Sequence, residues 1–345
     1  MDQCQSRNVP IDQEVVCPEA VDRIRGIIST LPIENGCRYI EPLCLYQGFW
    51  CHPSLAERIM LGQEFFKAEP NDIFVCSPPK SGTTWIKALT FAIVTRTCFD
   101  RSTSPLLFKM PHECVPALHR IFGKKPDIRE PGLPLIATHS PYASLPKSVL
   151  HSDCKIVYIC RDPKDAFVSL FHFKAKLRPQ EIEPISLEAA FDLYCEGKSD
   201  FGPFWDHILG YWGASLERPG KILFLKYEDM MKDTTFYVKK LAEFMGYPFS
   251  LEEEKEGVVQ KIVELCSFEF MSNLEVNKNG MLFGIRNHQV RNKDFFRRGK
   301  VGDWRNHLTP EMAERLDKII EQKLTASGFG RDWLNVKPVL EEQQV

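Results

Sequence analysis

The sequence carries almost no net charge, -2 over 345 residues, so the chain as a whole has no electrostatic pull toward nucleic acid or membrane, and any basic site must be local. It has no apolar run approaching the ~20 residues needed to span a bilayer. The opening Met1-Asp2-Gln3-Cys4-Gln5-Ser6-Arg7 is polar and lacks the apolar core of a secretory signal. These absences point to a cytoplasmic protein with neither membrane nor nucleic acid as partner. Metal-ligand spacing is missing as well: no Cys-x-x-Cys and no His-x-x-x-His occurs, so a metal site has no support. The 12 cysteines stand singly. Several, such as Cys76, Cys154 and Cys160, lie in or beside apolar strand-like runs, where a reducing compartment leaves them as small buried hydrophobes. No internal repeat or low-complexity stretch is present.

What is there suits a large α/β unit, with 43% hydrophobic and 26% charged residues giving a soluble chain with ample core. Apolar runs at Ile73 to Val75, Leu133 to Thr138, Lys155 to Cys160 and Lys221 to Lys226 read as strands, each followed by a polar turn and then a helix. That order predicts one domain with a central parallel sheet covered by helices on both faces. Residues 1–20 are expected to be a mobile leader, 21–336 the domain and 337–345 a tail. The segment 277–300, with eight basic or histidine side chains against the single acid Asp294, reads as a long, flexible basic loop that caps the fold. Helices are also expected at Glu19 to Ser29, Pro53 to Phe66, Leu251 to Lys255, Val263 to Met271 and Pro310 to Thr325.

The stretch Ser77-Pro78-Pro79-Lys80-Ser81-Gly82-Thr83-Thr84-Trp85 organises the rest. Two prolines stop the strand, Gly82 and the small hydroxyl residues allow a tight turn, and an apolar helix follows. A P-loop-like strand-loop-helix of this kind aims free N–H groups and a positive dipole end at the turn, and Lys80 adds a full charge: an anion site. It is not a Walker A loop, because Lys80 precedes the only glycine, which disfavours an ordinary nucleotide triphosphatase. His139, Arg161 and Tyr227 also follow strands directly, on the rim where such folds gather function. Each alone is more often structural; together with Lys80 they share one rim. Arg161, Ser169 and Arg297-Arg298-Gly299 make a second anion site. A nucleoside with phosphates at both ends satisfies both, and Trp85, Tyr227 and Phe268 are candidates to hold its base.

With these segments in view, the chain resembles the cytosolic sulfotransferases, their plant branch in particular, from about Leu31 to Trp333. Ser77 to Trp85 is similar to the family's phosphosulfate-binding loop and Thr138 to Pro146 to its catalytic-histidine segment. Cys160 to Ser169 resembles its 3'-phosphate segment, and Arg297 to Trp304 its C-terminal signature. The resemblance implies 3'-phosphoadenosine 5'-phosphosulfate (PAPS) as co-substrate, no metal, and in-line transfer of the sulfuryl group to a hydroxyl of a small acceptor. Lys80, Ser81, Gly82, Thr83, Thr84 and Trp85 would bind the phosphosulfate. Arg161, Ser169, Arg297, Arg298 and Gly299 would bind the 3'-phosphate, with Trp85, Tyr227 and Phe268 at adenine. His139 corresponds to the general base, Lys80 to the group that stabilises the leaving oxygen, and Ser169 to a side chain that contacts Lys80 and restrains hydrolysis.

Three positions depart from the pattern: Pro78, Asp162 and Arg298, of which Asp162 places an acid near a phosphate. Arg305, Thr309, Pro310 and Glu314 match an animal dimer motif only in part, so a monomer or weak homodimer is expected. The aromatics Tyr46, Phe49, Trp50, Tyr142, Phe201, Phe204 and Trp205 are candidate acceptor-pocket walls. A flavonoid, other phenolic, hydroxyjasmonate, steroid or glucosinolate precursor would each be a fitting acceptor. A small-molecule kinase and a non-catalytic 3',5'-bisphosphoadenosine-binding protein are the alternatives.

Overall fold

A computed structural model describes residues 18–35, 42–122, 132–285, 288–325 and 329. Nearly all of the expected leader and the whole of the expected tail lie outside these residues.

The strands are β1 (Ile33–Glu34), β2 (Leu43–Tyr46), β3 (Phe49–Cys51), β4 (Ile73–Cys76), β5 (Leu135–Thr138), β6 (Lys155–Cys160), β7 (Ile222–Lys226), β8 (Met281–Ile285) and β9 (His288–Arg291). Four of them form the central sheet in the order β5-β4-β6-β7. All its pairings are parallel, with Val75 beside Ala137 on one side and Val157 on the other. The expected parallel sheet is therefore present, and β6 has the bounds read from the sequence.

Both faces of this sheet are covered, which is why its strands are runs of apolar residues rather than alternations. Side chains of period two divide between two cores. Phe74, Cys76, Ile136, Ile156, Tyr158 and Cys160 enter one, where Phe191, Ile208, Tyr211 and Leu316 meet them. Ile73, Val75, Leu135, Ala137, Val157 and Ile159 enter the other, with Ile86, Leu89, Ile93 and Leu241. A third, smaller core joins Ile24, Cys44, Phe49, Cys51, Ala56 and Ile59 to Phe201, so the helix Pro18–Ile28 and the hairpin β2–β3 pack against the edge of the main body. Eight of the nine described cysteines are buried.

Two local expectations change. The helix read over Val263 to Met271 is two, Val258–Leu265 and Phe268–Asn273. Ser267 divides them because its hydroxyl accepts from the N–H of Phe270 at 3.2 Å, an N-cap that restarts the helix. The segment read as a flexible basic loop carries regular structure in its described part: the end of helix Glu275–Asn279, the hairpin β8–β9 and the 3-10 turn Asn292–Phe295. Its one acid accounts for much of this order. Asp294 is buried and pairs with Arg291 at 2.9 Å and Lys176 at 3.6 Å. Asp294 thus ties the basic strand to the main body.

Candidate active site

Parallel pairing sends the carboxyl ends of β4, β5, β6 and β7 to one edge, and the side chains just beyond them meet in a cavity of about 410 Å³. Lys80, Gly82, Thr83, Thr84 and Trp85 line it after β4, His139 after β5, Arg161 and Ser169 after β6, and Tyr227 after β7; Phe268, Arg297, Arg298 and Gly299 close over them. Of the expected donor-site residues only Ser81 is not on the wall; it is fully buried within the turn.

The turn is held by its hydroxyls. Ser77 Oγ lies 2.7 Å from Thr83 Oγ1, joining the end of β4 to the first turn of helix Thr83–Thr95. Gly82 has φ +98°, and a Cβ there would lie 2.8 Å from the Tyr227 ring, so the position needs glycine for both conformation and space. Lys80 itself has φ +65°, a left-handed conformation that turns its side chain back over the cavity. Its ammonium sits 3.9 Å above the Phe173 ring and 5.5 Å from that of Phe295. Burial, reinforced by the charges of Lys176, Arg161 and Arg297, pushes its pKa down to about 7.

His139 is fixed at one nitrogen. Its Nδ1–H donates to the Ser77 carbonyl at 2.7 Å; a carbonyl only accepts, so the proton sits on Nδ1 and Nε2 keeps its lone pair. Burial pushes the imidazole pKa down to about 4 against that hydrogen bond, so the ring is neutral at physiological pH. Phe201 packs against it at 5.6 Å, and Phe201 in turn stacks on Phe49 at 6.1 Å. From behind, His207 Nε2–H donates to the His139 carbonyl at 2.9 Å, and Tyr158 lies 3.0 Å from the other nitrogen of His207.

The expected second anion site is built around Asp165, which is fully buried. It pairs with Arg161 at 3.2 Å and accepts from the N–H groups of Gly302 at 2.7 Å and Trp304 at 2.9 Å. Arg161 donates to the carbonyl of Lys300 at 2.6 Å and lies 4.7 Å over the Tyr227 ring. Arg297 is paired with Asp303. Gly299, at φ +63°, rests its backbone on Phe268, whose ring would be 2.4 Å from an added Cβ. Among the described residues, the buried Nε atoms of Arg161 and Arg297 and the buried Oγ of Ser81 have no hydrogen-bond partner. Buried donors of this kind are normally matched, and a phosphate oxygen is a fitting partner.

Some expectations need revision. Of the seven aromatics read as acceptor walls, only Phe201 lines the cavity. Phe49 stands behind it, Tyr46 bonds Gln63 at 2.6 Å, and Tyr142 packs on Tyr211 at 5.5 Å. Phe204 and Trp205 belong to the main core, and Trp50 is half-buried in the hairpin, opposite Leu45. Such aromatics follow hydrophobic burial, which sequence position alone does not separate from ligand contact.

Ser169 shares the cavity with Lys80, but no hydrogen bond joins them among the described residues. Asp162, read as an acid beside a phosphate, is not on the cavity wall; it caps helix Pro163–Leu177 by accepting from the Lys164 N–H at 2.8 Å. Phe295 and Phe296 face Lys80 and Phe268 respectively. Thr309 is an N-cap, accepting from Met312 N–H at 3.2 Å, and Arg305 covers Trp304, so these partial dimer-motif matches have local roles.

Sequence reasoning missed Lys87, His112, Phe173, Lys174 and Asp200, all on the cavity wall. Lys174 and His52 both pair with Asp200, the latter at 2.9 Å. A lone lysine inside the apolar helix Thr83–Thr95 was the one readable signal among these. Among the described residues no His, Cys, Asp and Glu cluster could hold a metal ion, and no helix is long and apolar enough to cross a membrane.

A family model for the sulfotransferase domain matches residues 70–328, a span that contains Lys80, His139, Arg161, Ser169, Tyr227, Phe268 and Arg297 to Gly299. Curated relatives include cytosolic sulfotransferase 17 of Arabidopsis thaliana, 52% identical over 88% of each chain. Flavonol 3-sulfotransferase of Flaveria bidentis is 50% identical over 89% of this chain and 99% of its own. Among solved structures, mouse sulfotransferase SULT7A1 complexed with PAP is 27% identical, with a TM-score of 0.63 over 84% of this chain and 96% of that one. The chain belongs to the sulfotransferase family and is a sulfotransferase enzyme.

Proposed function

We propose that the protein moves the sulfuryl group of PAPS to a phenolic hydroxyl of a flavonol-like acceptor. The observation that carries this reading is the meeting, in one cavity, of a neutral His139 that keeps the Nε2 lone pair with Lys80 and the unmatched Nε atoms of Arg161 and Arg297. The PAP complex of the mouse relative and the activity in the name of the Flaveria relative support donor and acceptor class.

When bound, the donor supplies an activated sulfuryl group on a phosphate leaving group. The chain's own residues do the rest. Nε2 of His139 accepts the proton of the acceptor hydroxyl, and the Nδ1–H bond to Ser77 stabilises the resulting imidazolium. The Lys80 ammonium meets charge growing on the leaving oxygen, while the N–H groups opening helix Thr83–Thr95 face the sulfuryl oxygens. Arg161, Arg297 and the Gly299 backbone grip the 3'-phosphate, with Asp165 holding the two segments together. Trp85 and Phe268 frame the base, whereas Tyr227, 6% exposed, supports them from beneath. The acceptor lies against the apolar side of the cavity, made by Leu55, Ala117, Ala137, Phe173, Leu177 and Phe201.

The test is incubation of the purified protein with radiolabelled PAPS and a panel of flavonols, steroids and hydroxyjasmonates, alongside His139→Ala. Labelled flavonol is expected from the wild type, and loss of at least a hundredfold in kcat from the variant, with 3',5'-bisphosphoadenosine binding kept. Near-normal turnover by His139→Ala would remove the base. Absence of any sulfated product would remove the donor–acceptor reading.

A further inference from the structure

Helix Thr83–Thr95 is apolar along most of its buried surface, yet it carries Lys87 only 2% exposed. A buried ammonium persists where fixed acceptors meet it. Lys87 donates to the Val115 carbonyl at 2.9 Å and to Nδ1 of His112 at 3.3 Å. The ammonium has no lone pair, so Nδ1 accepts and the imidazole proton resides on Nε2. That nitrogen lies 3.0 Å from Thr84 Oγ1. One lone pair of the Thr84 hydroxyl is therefore taken by His112, and its single proton is left to donate elsewhere. Thr84 is on the cavity wall beside Lys80. The His112 ring also lies 4.7 Å from that of Phe295, one of the two rings beside the Lys80 ammonium.

We propose that His112 is a positioning residue for sulfuryl transfer: held by Lys87 with its proton on Nε2, it orients the Thr84 hydroxyl so that the O–H donates to the sulfuryl oxygens of the donor. The proposal rests on the sulfuryl-transfer reading above. A donor aimed by a relay of this kind is rigid before the reaction begins, so it stabilises oxygens whose charge rises in the transition state more than it strengthens ground-state binding. In this role Lys87 and His112 act through Thr84.

Two replacements of near-equal shape separate this role from packing. His112→Asn keeps an acceptor near the Lys87 ammonium but removes the N–H at the Nε2 position; His112→Gln extends an N–H toward Thr84. In the purified full-length chain, His112→Asn is expected to lower kcat about tenfold or more, with donor KM and 3',5'-bisphosphoadenosine affinity within about threefold. His112→Gln should recover most of that loss. In a Thr84→Val background, where no hydroxyl remains to orient, His112→Asn should cost less than about twofold more, the non-additivity expected of residues acting in series. A His112→Asn enzyme with wild-type kcat overturns the proposal, as does a full tenfold loss that persists beside Thr84→Val. If the wild type itself makes no sulfated product, the functional reading fails first and takes the relay with it, so the two failures are distinguishable.

Discussion

Replacing Lys176 by Met is expected to move the alkaline limb of the donor pH profile upward. In the proposed reaction Lys80 must be protonated to meet the leaving oxygen, and its pKa lies at about 7 rather than at the usual 10.5. Burial is the largest cause, followed by the charge of Lys176 and then those of Arg161 and Arg297, while Asp294 acts in the opposite direction. As the proposed base His139 must be neutral, and its pKa of about 4 would set the acid limb. The wild-type kcat/KM for the donor, which reports groups of the donor-free enzyme, should therefore be level between about pH 5 and about pH 6 and at about half its plateau near pH 7. Above that it should fall towards tenfold per unit as Lys80 loses its proton.

Lys176 is exposed and shares Asp294, so its influence is screened. Removing one such charge should raise the limb by about 0.3 to 1 unit, whereas Asp294→Asn should lower it. The assay is initial-rate kinetics at saturating acceptor from pH 5 to 9.5, in buffers of constant ionic strength. A limb unmoved by either substitution, or a level profile up to pH 9, would refute the electrostatic account of Lys80.

The remaining predictions concern the frame. Asp165→Asn removes the charge that holds Arg161 and leaves a side-chain N–H facing the main-chain N–H groups of the Gly302 to Trp304 turn; calorimetry should show at least a tenfold loss of 3',5'-bisphosphoadenosine affinity, and denaturant titration a stability loss of about 3 kcal/mol. Gly299→Ala meets both a positive φ and the Phe268 ring, so it should weaken the same ligand by about tenfold, with part of the loss restored by adding Phe268→Ala. Phe201→Ala strips the ring packed on His139 and one wall of the acceptor side; acceptor KM should rise severalfold while nucleotide affinity stays level, and an unchanged KM would place the acceptor elsewhere. Leu89→Ala, in the core between helix Thr83–Thr95 and the sheet, should cost about 2 to 5 kcal/mol by urea unfolding and leave the kinetics of the folded enzyme alone.

Local composition determined the four apolar strands, the turn after β4 and the residues that end each strand. A run such as Lys155 to Cys160 has one good solution, a strand buried on both faces, and Ser77 to Trp85 permits little besides a strand end, a tight turn and a helix. Parallel pairing then makes the convergence of Lys80, His139, Arg161 and Tyr227 on one edge almost obligatory. Tertiary packing decided what periodicity does not encode. Phe201 faces the cavity while Phe204 and Trp205, three and four residues on, enter the core, because the direction of a ring depends on which neighbours enclose it. The left-handed φ of Lys80, the displacement of its pKa and the burial of Lys87 against His112 arise from contacts between segments distant in sequence, where each charge meets neighbours that no local pattern places beside it.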